Sequence, residues 1–298
     1  MIVNYPRMRR RVKGWPDDLD TALEFSSANP FSISAPKNWD GKLEYTNGSG
    51  WKMWDGSAIA SGEIENNHYI YLRGTGNSKM TGTTSGSVKW SIIGTNIACN
   101  GDIDLLLDYS TVKNGNRPAM ASYCYSNMFQ GCTSLTATPS LPATTLANNC
   151  YNSMFQGCTS LTAAPSLPAT TLNTNCYYYM FYGCTSLTTA PSLPATTLAN
   201  NCYYSMFQGC TSLTTVPSLP ATTLANNCYN SMFYLCTKIK LSTTASGTYT
   251  KSYRIPQNGT GTTASGALVY MFGNTGGTFN GAPKINTTYY LDESNTIV

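Results

Sequence analysis

Residues 176–201 read CYYYMFYGCTSLTTAPSLPATTLANN. Near-copies of this stretch begin at Cys124, Cys150, Cys202 and Cys228, so five blocks with a period of 26 residues fill the middle of the chain. The fifth starts as CYNSMFYLCTK and then departs from the pattern. Self-similarity at a fixed period of this length predicts a solenoid, in which each block is one coil and the next coil buries its apolar face. Such stacks mostly present surfaces, so the repeat points to recognition rather than chemistry.

One block can be read physically. Asn175 precedes Cys176, and Gly183 closes the run Cys176-Tyr177-Tyr178-Tyr179-Met180-Phe181-Tyr182. Asn caps helix starts and Gly ends helices, which predicts a helical turn there. At about 100° per residue, Cys176, Tyr177, Met180 and Phe181 share one face, and Tyr178, Tyr179 and Tyr182 share the other. The same register holds in every block. Leu187 and Leu193 are the inward aliphatics, Pro191 and Pro194 punctuate the coil, and an extended piece near 187–190 is expected to pair with its equivalents. The expected fold is therefore a repeat solenoid, with a short strand and a helical turn per coil, preceded by a small all-β domain.

Composition narrows the function. The chain has 298 residues, 11% charged and 12% aromatic, with 21 Tyr. Disorder needs high charge and few aromatics, so a folded β-rich or repeat protein fits. Net charge is +4, yet no Asp, Glu, Lys, Arg or His occurs from Pro118 to Thr237. A surface that neutral cannot bind nucleic acid by releasing counterions. It suits uncharged ligands such as glycans, or another protein face. No run approaches the roughly 18 apolar residues of a membrane span, so no membrane insertion is expected.

Ten of the eleven cysteines are the two Cys positions of the repeat, eight residues apart; Cys99 stands outside it. A Cys recurring once per coil at fixed phase reads as a small buried residue with a free thiol, not as a disulfide framework. His68 is the one histidine and no close CxxC pair exists, so neither zinc nor any other cofactor is expected.

Four segments are expected. Residues 1–20 form a basic leader, with Arg7, Arg9, Arg10, Arg11 and Lys13 preceding Asp17-Asp18-Leu19-Asp20. Residues 21–110 form a small β-domain whose strands include LEYTNGSGWKMWDG, HYIYLRGTGN and SVKWSIIGTNIACNGDIDLLLDY, with Asn47-Gly48 as a hairpin turn. Residues 111–240 hold the repeats. Residues 241–298 form a C-terminal cap, in which TTASGALVYMFGNTGG keeps a ghost of TTLANNCYYSMFQG. A degraded last coil suits a solenoid, because nothing covers the end.

The pattern MFxGCTSLTxxPSLPATTLxxN resembles the BspA-like (Treponema-type) leucine-rich repeat, with Phe155, Cys158 and Leu161, and Phe181, Cys184 and Leu187, at its aromatic, Cys and Leu positions. The preceding LEYTNGSGWKMWDG…IYLRGTGN…NGDIDLLLDY is similar to the β-domain before such repeats in proteins of gut Bacteroidetes and their phages. The likeness covers roughly residues 30–240. It implies an adhesin, a surface recognition protein or a phage virion protein. The start MIVNYPRMRRRVKGW has no apolar stretch and no small-residue cleavage site, unlike a secretory signal. That favours a virion protein assembled in the host cytoplasm over a bacterial cell-surface adhesin.

Comparing blocks separates two kinds of position. The inward Cys, Tyr, Met and Phe are identical in all five. Outward positions vary among Ser126, Asn152, Tyr178, Tyr204 and Asn230; Asn127, Ser153, Tyr179, Ser205 and Ser231; and Gln130, Gln156, Tyr182, Gln208 and Tyr234. Tyr, Ser and Asn also dominate antibody paratopes, where Tyr supplies contact area at low entropic cost. Tyr178, Tyr179, Tyr182, Tyr204 and Tyr234 are thus the candidate ligand face, against the alternative of plain polar filler. Arg7, Arg9, Arg10, Arg11 and Lys13 are the candidate particle anchor, against a solvated terminus. Trp51, Trp54 and Trp90 read as β-domain core before they read as a sugar platform. No phosphate loop, nucleophile–base pair or carboxylate pair can be assembled, so no catalytic residue and no enzyme is expected. The leading expectation is a head or tail fibre or decoration protein. Its N-terminus would dock on other virion proteins and its coils would touch a host surface protein or neutral glycan, in a homo-oligomer, trimers especially. An intracellular protein-binding scaffold is the remaining alternative.

Overall fold

A computed structural model describes residues 13–36, 41–81 and 89–298 of the chain. Strands and turns dominate, and the described residues hold one α-helix, Leu105–Lys113. In the N-terminal β-domain, Leu23–Ser27 lies between Asn67–Gly74 and Ile97–Asn100, and Asn67–Gly74 continues to Leu43–Thr46 and Lys52–Met53. A smaller sheet joins Ser32–Ser34 to Ile59–Ala60 and Ser91–Ile93. Register pairs Leu23 with Leu72 and Phe25 with Ile70, and alternation puts all four on one buried face. The opposite face carries Glu24 and Tyr71, and residues 13–22 cover it: the Trp15 ring meets Tyr71 edge-on at 5.9 Å. Arg73 pins this cover. Its guanidinium lies 3.9 Å from the Trp51 ring centre and 4.3 Å from that of Tyr109, and it donates to Asp18 and Glu44.

One feature of the β-domain differs from the sequence reading and one agrees with it. The stretch ending in DLLLDY is not a strand throughout: Leu105–Lys113 is helical, with Leu105, Leu106 and Leu107 buried. Three consecutive leucines fit a fully buried helix turn as well as a fully buried strand, and periodicity alone cannot separate them. The hairpin around Asn47-Gly48 exists, with Glu44 opposite Met53, and Thr46 closes its loop by a side-chain bond to the Gly48 carbonyl.

The repeat blocks stack by a two-residue rule. The N–H groups of Tyr151, Ser153, Phe155 and Gly157 donate to Cys176, Tyr178, Met180 and Tyr182 of the next block, at 2.8–3.0 Å. The alternate residues Asn152, Met154, Gln156 and Cys158 donate within the block, three residues back. Every second backbone group therefore serves the stack and every other one a local turn, which satisfies the buried polar backbone without a helix or a long strand. The helical turn expected over 176–182 is accordingly absent. In its place runs a chain of turns with positive φ at Asn175, Tyr179 and Gly183, one residue in four. Over seven residues a four-residue period places Cys176, Tyr177, Met180 and Phe181 together almost as a 3.6-residue period does. The inward face was therefore legible although the conformation was not.

Inside, the repeat builds ladders. Phe129, Phe155, Phe181, Phe207 and Phe233 stack at 5.5–5.7 Å with near-parallel rings, and Tyr125, Tyr151, Tyr177, Tyr203 and Tyr229 form a second column at 5.6–5.8 Å. All eleven cysteines are buried and free. The thiols of Cys158, Cys184, Cys210 and Cys236 each lie 3.0–3.1 Å from the carbonyl of a Phe one block earlier. A residue this small with a weak S–H donor meets both demands of that position. The extended piece near 187–190 pairs only briefly, through bridges such as Ala163 to Thr189. Pro191, with no N–H, stops the ladder at once.

Each end of the stack has its own closure. The strand Ile97–Asn100 pairs in parallel with Leu135–Ala137 of the first block, and the N–H groups of Met80 and Trp90 reach the carbonyls of Cys124 and Met128. At the other end, the N–H groups of Tyr229, Ser231, Phe233 and Leu235 donate to Ala267, Val269, Met271 and Gly273. The ghost segment thus takes the place of a sixth block. Phe272 stacks on Phe233 at 5.3 Å, and Tyr253 meets it edge-on. The fifth block departs from the pattern after Thr237, and the C-terminal Thr296–Ile297 returns to pair in parallel with Thr215–Val216.

Candidate functional site

The outer face of the stack is laid out in columns by the backbone register just described. In one column Ser126, Asn152, Tyr178, Tyr204, Asn230 and Val269 follow one another, and beside it run Asn127, Ser153, Tyr179, Ser205, Ser231 and Tyr270. A third column holds Gln130, Gln156, Tyr182, Gln208, Tyr234 and Gly273. The middle column is the one whose residues, Tyr179 among them, all stand at positive φ.

Four of the five candidate tyrosines meet. Tyr178 and Tyr204 stack across blocks at 4.9 Å with planes 12° apart. Tyr179 lies 4.3 Å from Tyr178, 5.2 Å from Tyr182 and 5.7 Å from Tyr204, tilted or edge-on to each. All four are half-buried. Partial burial, with the neighbouring Tyr179 hydroxyl, raises the Tyr178 phenol above its ordinary range, and partial burial raises Tyr204 as well. Both of these phenols therefore stay uncharged through neutral pH. Ring faces and hydroxyls are presented together with no charged group on the block.

Tyr234 stands apart from these four. It lies two blocks beyond Tyr182 in the same column, with Gln208 between, and accepts a hydrogen bond from Asn274 at 2.8 Å. Its ring partner is Tyr270, edge-on at 6.4 Å. The candidate ligand face is thus two clusters, because Ser205, Gln208, Asn230 and Ser231 occupy the positions between them. Tyr270, 62% exposed, escaped the sequence reading. Aligning GALVYMFGN with NCYNSMFYL would have found it, since that alignment puts Tyr270 in the Tyr179 column.

The remaining candidates separate cleanly. Arg7, Arg9, Arg10 and Arg11 lie outside the described residues; Lys13 is exposed, two residues before the packed Trp15. Trp54 and Trp90 are core, edge-on at 5.3 Å, and Trp51 is committed to Arg73 and Asp18, so the three form no platform. Among the described residues no group of three His, Cys, Asp or Glu could hold a metal, and no helix is long and apolar enough to cross a membrane. A polar cleft beside Arg254, Gln257 and Thr288 lies in the C-terminal cap, but the Arg254 guanidinium is taken up by the carbonyls of Pro256 and Gly259. Comparison with family models, curated proteins and solved structures finds no match to this chain.

Proposed function

We propose that this chain is a non-enzymatic recognition protein, a leucine-rich-repeat-like solenoid of the BspA type that binds neutral glycans through its outer aromatic face. The observation that carries this reading is the cluster of Tyr178, Tyr179, Tyr182 and Tyr204 on a run of blocks without a single charged residue. Tyrosine faces pack on the apolar C–H faces of sugar rings, and phenolic hydroxyls and the nearby Ser, Asn and Gln bond sugar hydroxyls. Backbone hydrogen bonds between blocks hold these rings in place before ligand arrives, which lowers the ordering cost of binding. Placement on a virion, as a fibre or decoration protein attached through its N-terminus to other particle proteins, rests on the resemblance of the repeat and of the β-domain. Homo-oligomerisation belongs to that same reading.

The test is a triple change, Tyr178→Ser with Tyr182→Ser and Tyr204→Ser, assayed on an array of neutral oligosaccharides and on host cells. Binding should fall at least tenfold and should depend little on salt. Each lost ring contact removes about 0.5–1.5 kcal/mol, so the variant stays folded. Undiminished binding by the triple variant would refute the assignment.

A further inference from the structure

We infer that the ligand is a linear neutral glycan lying along the stack axis and held at two aromatic subsites two blocks apart. This rests on the glycan reading above and adds a second site, made by Tyr234 and Tyr270, to the first. Three observations carry it. The columns run parallel to the axis, because each block donates to the equivalent residues of the next at 2.8–3.0 Å. Blocks therefore rise at about the spacing of adjacent strands, ~4.8 Å. A pyranose ring in an extended chain advances by a similar length, so successive sugars can keep step with successive blocks.

The second observation is the division of the face. Rings gather on the third and fourth blocks, and again on the fifth block and the ghost segment that follows it. Between them Gln208, Asn230 and Ser231 offer amides and hydroxyls. Two ring clusters flanking a strip of hydrogen-bonding groups match a polymer whose rings alternate with hydroxyl edges. A small compact ligand would use one cluster alone.

The third observation is Ser205. In the second and fifth blocks the corresponding serines, Ser153 and Ser231, donate to Asn152 and Asn230 beside them. In the fourth block Tyr204 replaces that Asn. The Ser205 hydroxyl is left buried with no partner, on the strip between the clusters. Leaving a buried hydroxyl unbonded costs free energy. The aromatic identity of Tyr204 is thus held against a local cost, as expected where the ring serves a ligand.

Two tethered subsites strengthen binding by effective concentration, but only for a ligand long enough to span them. The experiment measures, by calorimetry, the affinity of a length series, from disaccharide to octasaccharide, of whichever neutral glycan the array detects. The expected result is an affinity that climbs with length and then levels. Tyr270→Ser should lower the affinity of the longest oligomer by about tenfold, as loss of an aromatic anchor does, and leave the affinity of the disaccharide for the Tyr178–Tyr204 cluster unchanged. Tyr178→Ser with Tyr204→Ser should weaken both. Equal effects of Tyr270→Ser on short and long chains, or no gain with length, would overturn the two-subsite arrangement and leave glycan binding standing. Absence of binding to every neutral oligosaccharide by the wild-type chain would overturn both.

Discussion

Replacing Phe181 by Ala tests the ladder at its centre. The ring is fully buried and sits 5.7 Å from Phe155 on one side and 5.7 Å from Phe207 on the other. Large-to-small changes of this kind cost about 3–5 kcal/mol, less where neighbours can collapse into the space. Here they cannot. The blocks on either side are held by hydrogen bonds from Phe155 to Met180 and from Phe181 to Met206, at 3.0 and 2.9 Å, so the gap between rings persists. The loss should fall in the upper half of that range. Phe272→Ala is the internal control, because Phe272 has a block on one side only and meets Tyr253 on the other. Its cost should be lower, about 3 kcal/mol. Urea unfolding followed by circular dichroism for the whole chain, and by tryptophan fluorescence for the β-domain, measures both. The shared sheet between Ile97–Asn100 and Leu135–Ala137 predicts that the two probes shift together. A loss below about 1.5 kcal/mol for Phe181→Ala, or a larger loss for Phe272→Ala, would refute the reasoning.

Three further outcomes follow from particular residues. Leu235 stands at φ +63° where the four earlier blocks have Gly131, Gly157, Gly183 and Gly209, so Leu235→Gly should stabilise by about 1–2 kcal/mol, read as a higher urea midpoint; no gain would mean that the apolar side chain is held by contacts that outweigh the strain. Burial raises the repeat thiols, Cys132, Cys184 and Cys228 to about 12. The folded chain therefore keeps protons that the unfolded chain releases above about pH 8.5, and stability is intact below that value and falls as pH rises toward the folded values. The slope should be steep, about 1.4 kcal/mol per pH unit for each such thiol, and a urea midpoint unchanged between neutral and strongly alkaline pH would show that the thiols ionise in place. On the virion reading proposed above, deleting residues 1–12, which precede the packed Trp15, should leave thermal unfolding unchanged and abolish incorporation into a particle; normal incorporation would move the proposed anchor to the β-domain or the C-terminal cap.

How much of this was legible without coordinates varies with the reach of the forces involved. A repeat constrains every block by the same environment, so identity at Cys176, Tyr177, Met180 and Phe181 across blocks marks burial, while variation at Tyr178, Tyr179 and Tyr182 marks the outside. Free thiols, the neutral face and the ghost coil came from the same comparison. Conformation within the block did not. A helix and a run of four-residue turns place the same side chains inward over seven residues, and the choice between them depends on hydrogen bonds to residues 25 positions away. Likewise three leucines after Asp104 say only that the segment is buried, and the helix there depends on what packs over it.

The candidate site shows the same division. Composition by itself determined that the blocks are uncharged and rich in tyrosine, and comparison of the blocks put Tyr178, Tyr179 and Tyr182 on the outside, neither step needing a fold. Only the tertiary structure decided that Tyr204 stacks on Tyr178, that Gln208 separates Tyr234 from them, and that Tyr270 completes a second cluster. Those relations run between blocks, through a register set by alternating backbone hydrogen bonds, and the ghost block enters that register 38 residues on rather than 25, as the bond from Tyr229 to Ala267 shows. A fixed sequence period cannot report a neighbour across an insertion. The physical reason is that side chains meet where the backbone pairs, and backbone pairing is indifferent to the number of residues looped out between.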